Sequence, residues 1–67
     1  MLNRIRELRK VQGYRQEDLA EAVGVTRQTI GLIEAGNYNP SINLCIDICM
    51  ALNRTLDELF WPPRKTD

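Results

Sequence analysis

Apolar side chains recur along this chain at the three- and four-residue spacing of a helix face, and no segment alternates in the strict two-residue pattern of a half-buried strand. The pattern predicts an all-α chain with five helices. The first runs from about Asn3 to Gln12, carries Leu2, Ile5 and Leu8 on one side with Arg4, Arg6 and Lys10 facing elsewhere, and stops at Gly13. The second covers Gln16 to Val23, with Tyr14 and Leu19 spaced as a hydrophobic staple across its start and Gly24 at its end. The third begins after Thr26, an N-cap residue, with Val25 and Ile30 as a second staple, and ends near Ala35 and Gly36.

Turn formers then crowd Gly36-Asn37-Tyr38-Asn39-Pro40, and Ser41 is placed to cap a fourth helix from Ile42 to Leu52 that stops at Asn53. Thr55-Leu56-Asp57-Glu58 spells a capping box for a short fifth helix ending near Phe60, and Pro62-Pro63 forbids its continuation. The expected organisation is one domain over 1–67, with a core over about 4–60 and a loose tail over 61–67. A single small domain of this length buries only roughly 60% of the surface its unfolded chain exposes, so stabilisation by pairing is expected.

Within this layout, the stretch from Gln16 to Ala35 stands apart. Ala20 is small where two helices must touch, Gly24 sits where the chain must turn with positive φ, and Ile30 and Ile33 give the following helix a buried edge. That spacing predicts a helix-turn-helix over 16–35. At 100° per residue Ile30 and Ile33 fall together at about 270° from Arg27, so Gln28, Gly31, Leu32 and Ala35 face outward, flanked by Arg27 and Thr29. The outward face is small and nearly uncharged, which suits a DNA groove better than open water. Glutamine pairs bidentately with adenine, arginine with guanine, and an apolar group touches a thymine methyl, which makes Gln28, Arg27 and Leu32 the expected base-reading side chains. Gly31 lets the backbone approach the bases.

Phosphates require donors, and helix starts supply free backbone N–H groups at a positive dipole end. Gln16 opens the second helix with Arg15 before it, and Thr26 and Thr29 stand at the start of the third. Asn37, Tyr38, Asn39 and Ser41 approach from the far side, and together these eight are the expected phosphate contacts. Glu17, Asp18 and Glu21 oppose them locally and are read as turned partly away from the duplex. Glu34 falls at about 340° on the same wheel, between the buried edge and the surface, where a lone carboxylate is costly. Arg9 on the first helix is its expected partner.

Taken together, Gln16-x-x-Leu19-Ala20-x-x-x-Gly24-Val25-Thr26-Arg27-Gln28-Thr29-Ile30-x-x-Ile33-Glu34, followed by Gly36 and Asn39-Pro40-Ser41, resembles the Cro and phage-repressor type of helix-turn-helix, the XRE family. The resemblance spans about Arg4 to Phe60. It implies a five-helix, lambda-repressor-like DNA-binding domain, and a sequence-specific transcriptional regulator that acts as a repressor on an inverted-repeat operator as a homodimer. By position it implies phosphate contact from Gln16, base contacts from Arg27, Gln28 and Leu32, and an ion pair between Arg9 and Glu34. Arg15 and Gly31 depart from the usual pattern, where a serine, threonine or asparagine and a longer side chain are commoner, so the operator sequence stays open.

Ile46, Met50, Leu56, Leu59, Phe60 and Trp61 exceed what a short last helix buries within its own domain, and they are the expected dimer surface. A small helical protein-interaction module, such as an antitoxin holding its toxin through the last helix and tail, is the alternative. Nine basic and nine acidic side chains cancel, and the pI is near 6.2, so bulk charge favours that alternative slightly and DNA binding must rest on where the charges lie.

Other classes are excluded more directly. With no histidine, no phosphate-cradling glycine loop and no converging acid pair, the chain is not expected to be an enzyme. Cys45 and Cys49 lie four apart on one helix face, poorly placed for a disulfide and without the companions of a zinc site, and are read as core thiols. No metal, cofactor or small-molecule ligand is expected. No apolar run nears the ~20 residues of a membrane span and the N-terminus lacks a signal-peptide core, so a cytoplasmic protein is expected.

Overall fold

A computed structural model describes residues 3–60. Five helices follow one another: α1 (Ile5–Val11), α2 (Gln16–Val23), α3 (Arg27–Glu34), α4 (Ile42–Leu52) and α5 (Leu56–Phe60), with no strand among the described residues. Leu2, Trp61 and the tail with Pro62-Pro63 lie outside the described residues.

Local chemistry accounts for most helix ends. At the start of α3 the Thr26 hydroxyl oxygen accepts from the Thr29 N–H at 3.1 Å, and at the start of α4 the Ser41 oxygen accepts from the Leu44 N–H at 3.2 Å. Gly24 closes α2 at φ 80°, with the Ala20 carbonyl accepting from both the Gly24 and Val25 amides at 2.9 and 3.0 Å. Asn53 closes α4 in the same left-handed conformation, φ 55°, which its short polar side chain tolerates. The box at α5 forms by half: Glu58 accepts from the Thr55 N–H at 2.8 Å, but the Thr55 hydroxyl donates to the Asp57 and Glu58 carboxylates at 2.6 and 3.2 Å.

Helix α1 begins two residues later than its periodicity suggests. The Arg4 N–H is drawn to the Leu59 carbonyl at 2.7 Å, and the Asn3 side chain accepts from the Ile5 N–H at 3.2 Å while donating to the Ile33 carbonyl at 2.7 Å. These tethers to α5 and α3 replace the first helical turn. At the other end Gln12 serves as the cap and is not part of the helix.

The core gathers one edge from each helix: Ile5, Leu19, Ala20, Ile30, Ile33, Ile48, Cys49, Leu52 and Leu59 are buried together, and Leu8, Val23, Val25, Leu44, Ala51 and Phe60 pack around them. Each fully buried leucine or isoleucine contributes about 1.5–3 kcal/mol relative to exposure. Ala20 lets α2 and α3 approach, and the full burial of Ile30 and Ile33 fixes which side of α3 is turned outward. Cys45 and Cys49 are buried free thiols, and burial pushes both up from the ordinary thiol pKa, so neither is poised as a nucleophile.

One surface expectation is corrected. Leu59 has no solvent exposure and belongs to the core under α1 and α4, so it is not available to a partner. A helix of five residues buries a single position deeply, and Leu59 rather than Leu56 points inward. Phe60 is half-buried against the same core. Ile46, Leu56 and Met50 are exposed, Met50 at 75%, and Met50 rims a shallow groove of about 460 Å³ shared with Ala22, Val23, Asp47 and Ala51.

Candidate nucleic-acid interface

Arg27 and Gln28 are the first two residues of α3, and both are exposed with no partner among the described residues. Leu32 lies one turn further on, 40% exposed. Gly31 lies between them, and a Cβ built there meets the Gln16 Nε2 at 3.7 Å, so α2's first residue lies directly beside the outward face of α3. The Thr26 and Thr29 hydroxyls bond each other at 2.9 Å. Each carries one hydrogen and only one is used, which leaves one hydroxyl hydrogen for an outside acceptor.

On the far side, Asn37, Tyr38, Asn39 and Ser41 are all exposed around the buried Pro40. The Asn37 N–H is held by the Leu32 carbonyl at 2.9 Å, which ties this loop to the last turn of α3. Ser41 caps α4 with its oxygen and keeps its hydroxyl hydrogen, next to the free N–H groups of the first turn.

Two expected phosphate donors are already engaged. The Arg15 guanidinium bonds Asp18 at 3.3 Å and approaches Glu17 at 4.0 Å, and Asp18 also accepts from the Arg15 N–H at 2.9 Å. The hydrogen bonds that the Arg15 side chain donates to Asp18, and then the charges of Asp18 and Glu17, raise the Arg15 pKa, while the bonds donated by the Arg15 N–H and then by its side chain lower that of Asp18. Arg15 therefore brings little uncompensated charge to this edge, contrary to expectation. Gln16 spends one amide hydrogen on Glu34 Oε1 at 3.0 Å and keeps one.

Glu34 is the junction of the interface. Its side chain has 0% exposure, and Arg9, 8% exposed, donates Nε to Oε2 at 2.7 Å and Nη2 to Oε1 at 3.3 Å. Arg9 Nη1 also donates to the Tyr14 carbonyl at 2.8 Å, which joins the α1–α2 loop to the same cluster. The pairing with Arg9 was legible from position. The further donors, Gln16 and Arg6, were not: Arg6 Nε lies 3.5 Å from Oε1, although its helix position relative to Ile5 and Leu8 predicts that it faces elsewhere. The available signal was that Arg6 and Arg9 are three apart on one helix and so share a side.

Residues 5–59 match the helix-turn-helix family model. The chain is 49% identical over 61 residues to the uncharacterized HTH-type transcriptional regulator YgzD of Bacillus subtilis, covering 91% of this chain and 92% of that protein. In structure it is similar to the restriction-modification controller protein C.AhdI of Aeromonas hydrophila, with a TM-score of 0.79, 38% identity and coverage of 85% and 83%. It is also similar to SinR of Bacillus subtilis, the master regulator for biofilm formation, solved in complex with DNA: TM-score 0.73, 33% identity, coverage of 79% and 86%.

Proposed function

The chain belongs to the helix-turn-helix family of DNA-binding transcriptional regulators, and from that premise we propose that it is a repressor that reads an inverted-repeat operator as a cytoplasmic homodimer. The observation that carries the DNA reading is the unpartnered pair Arg27 and Gln28 at the exposed start of α3, beside Leu32 and against a rigidly buried inner edge. Arg27 and Gln28 read guanine and adenine edges, Leu32 packs on a thymine methyl, and Gly31 admits the backbone. Gln16, Thr26, Thr29 and the loop over 37–41 hold the flanking phosphates, with Arg15 a minor contributor because Asp18 neutralises it. The Arg9–Glu34 pair fixes α3 against α1, so the reading face is presented without reorganisation.

One such helix touches only a few base pairs, too few to stand out among the competing sites of a genome. Two copies related by a twofold axis place their α3 helices about 34 Å apart and demand an inverted repeat. Ile46, Met50 and Leu56 supply an exposed apolar surface for that pairing, with Phe60 half-buried; Trp61, also expected in the interface, lies outside the described residues. No helix among the described residues is long and apolar enough to cross a membrane, in keeping with a cytoplasmic regulator. Regulation is by occupancy, with the bound dimer obstructing polymerase.

Selection of bound sequences from a random duplex pool, at stated salt, tests the reading. An inverted repeat with half-sites one helical turn apart is the expected result; no enrichment over the pool overturns it. Gln28→Ala and Arg27→Ala are each expected to weaken binding to the selected site by about 1–3 kcal/mol and to relax preference at one base pair. Equal losses on random duplex would instead assign both residues to phosphates. Met50→Glu is expected to shift the protein from dimer to monomer in sedimentation at micromolar concentration; a dimer that persists removes α4 from the interface.

A further inference from the structure

Two guanidiniums face one carboxylate where α1, α2 and α3 meet. Glu34 Oε2 accepts the 2.7 Å bond from Arg9, while Oε1 is approached by three donors: Gln16 Nε2 at 3.0 Å, Arg9 Nη2 at 3.3 Å and Arg6 Nε at 3.5 Å. A carboxylate oxygen offers about two lone-pair directions, and N–H···O bonds weaken beyond about 3.2 Å. Arg6 is the donor left over. Its side chain is 61% exposed, whereas Glu34 is fully covered and Arg9 nearly so. The cluster as a whole carries one surplus positive charge, and Arg6 holds it at the surface.

Elsewhere in the described residues, Arg4 is matched by Glu7 at 3.4 Å and Arg15 by Asp18 at 3.3 Å. In a chain with no net charge, attraction to a polyanion depends on such local surpluses. The surplus at Arg6 is also well placed. It shares an acceptor oxygen with the Gln16 amide, which itself lies against Gly31 on the outward side of α3.

We infer that Arg6 is a phosphate-binding residue, taking a backbone phosphate of the DNA beside Gln16 while Glu34 remains with Arg9. This rests on the DNA-binding reading above. A phosphate offers the guanidinium the paired, unshared oxygens that Glu34 does not, and Glu34 serves to aim Arg6 without neutralising it. Arg6 thereby supplies the cation that Arg15, held by its own acids, does not.

Binding of the full chain to its selected duplex and to random duplex, followed by fluorescence anisotropy from ~50 to ~300 mM salt, tests the assignment. Arg6→Gln is expected to lower affinity for both duplexes alike, about tenfold near ~0.1 M salt, and to flatten the slope of log K against log salt by about 0.9, the counterion release of one phosphate. Arg6→Lys is expected to keep the slope, and both variants to melt close to the parent. An unchanged slope in Arg6→Gln overturns the assignment, as does an equal loss of binding and melting temperature in both variants. If Gln28→Ala loses base preference while Arg6→Gln changes nothing, Arg6 alone is wrongly assigned; if the parent binds no duplex, the assignment falls together with the DNA-binding reading.

Discussion

Glu34→Ala is expected to lower the unfolding free energy by about 3–5 kcal/mol, because it strands the nearly buried Arg9 guanidinium without its counter-charge. A domain of this size has a total stability on the order of 3–10 kcal/mol, so much of the variant is expected to be unfolded near room temperature. Arg9→Met alone leaves the Glu34 carboxylate fully covered with only Gln16 and the distant Arg6, and is expected to cost a similar amount. The double variant, with Arg9→Met and Glu34→Ala combined, is expected to be more stable than either single one, since it removes both charges together. Urea unfolding of the four proteins measures this coupling. Simple additivity of the two losses would show that the pair is not a clamp.

The same pair sets a pH dependence with a definite sign. Burial pushes the Glu34 carboxyl up, but the hydrogen bonds from Arg9 and Gln16 and the charge of Arg9 outweigh it and hold the group below its ordinary value of 4.5. A carboxyl depressed in the folded state contributes its stabilisation above the unfolded value, and loses it as pH falls through the folded one. The stability difference between the parent and Glu34→Gln is therefore expected to be full at pH 7 and to shrink below about pH 4.5. A gap that is constant from pH 7 to pH 3 would mean that the charge of Glu34 is not what stabilises the junction.

Leu59→Ala is expected to cost about 2–5 kcal/mol, the range for emptying a buried leucine site in a core that relaxes only partly. Leu59 has no exposure, and its helix is what α1 rests against, through the Arg4 N–H on the Leu59 carbonyl at 2.7 Å. A cavity there loosens the contact of α5 with both α1 and α4. Each kcal/mol is worth about 4–8 °C in a domain of this size, so the melting temperature is expected to fall by more than ~8 °C. Leu56→Ala, three residues earlier on the exposed side, is expected to leave melting nearly unchanged and to weaken self-association. Melting curves and sedimentation of the two variants separate the roles, and a Leu59→Ala protein that melts normally but fails to pair would return Leu59 to the interface.

How much of this was legible beforehand depends on the range of the interaction that settles each feature. The ends of α2, α3 and α4 could be read because their signals are local: Thr26 and Ser41 bond amides three residues on, and Gly24 and Asn53 accept a positive φ. Outward presentation of Gln28 and Leu32 follows from the burial of Ile30 and Ile33 on the same short helix, a matter of 100° per residue. The start of α1 is not legible from local signals because it is settled by Ile33 and Leu59, 30 and 55 residues away along the chain from Asn3 and Arg4. The last helix misled for another reason: five residues make too short a wheel to rank Leu56 against Leu59.

By itself, the order of residues determined five helices, the turn between α2 and α3, the side of α3 that meets solvent, and the need of Glu34 for a cation, because each rests on backbone preferences or on spacing within one helix. Tertiary structure alone decided which donors converge on Glu34, that Gln16 and Arg6 are among them, and which leucine of α5 enters the core. Those outcomes depend on how helices separated in sequence are set against one another. A charge or an apolar group is satisfied by whatever lies within a few ångströms in space, and helical periodicity describes only its neighbours along the same helix.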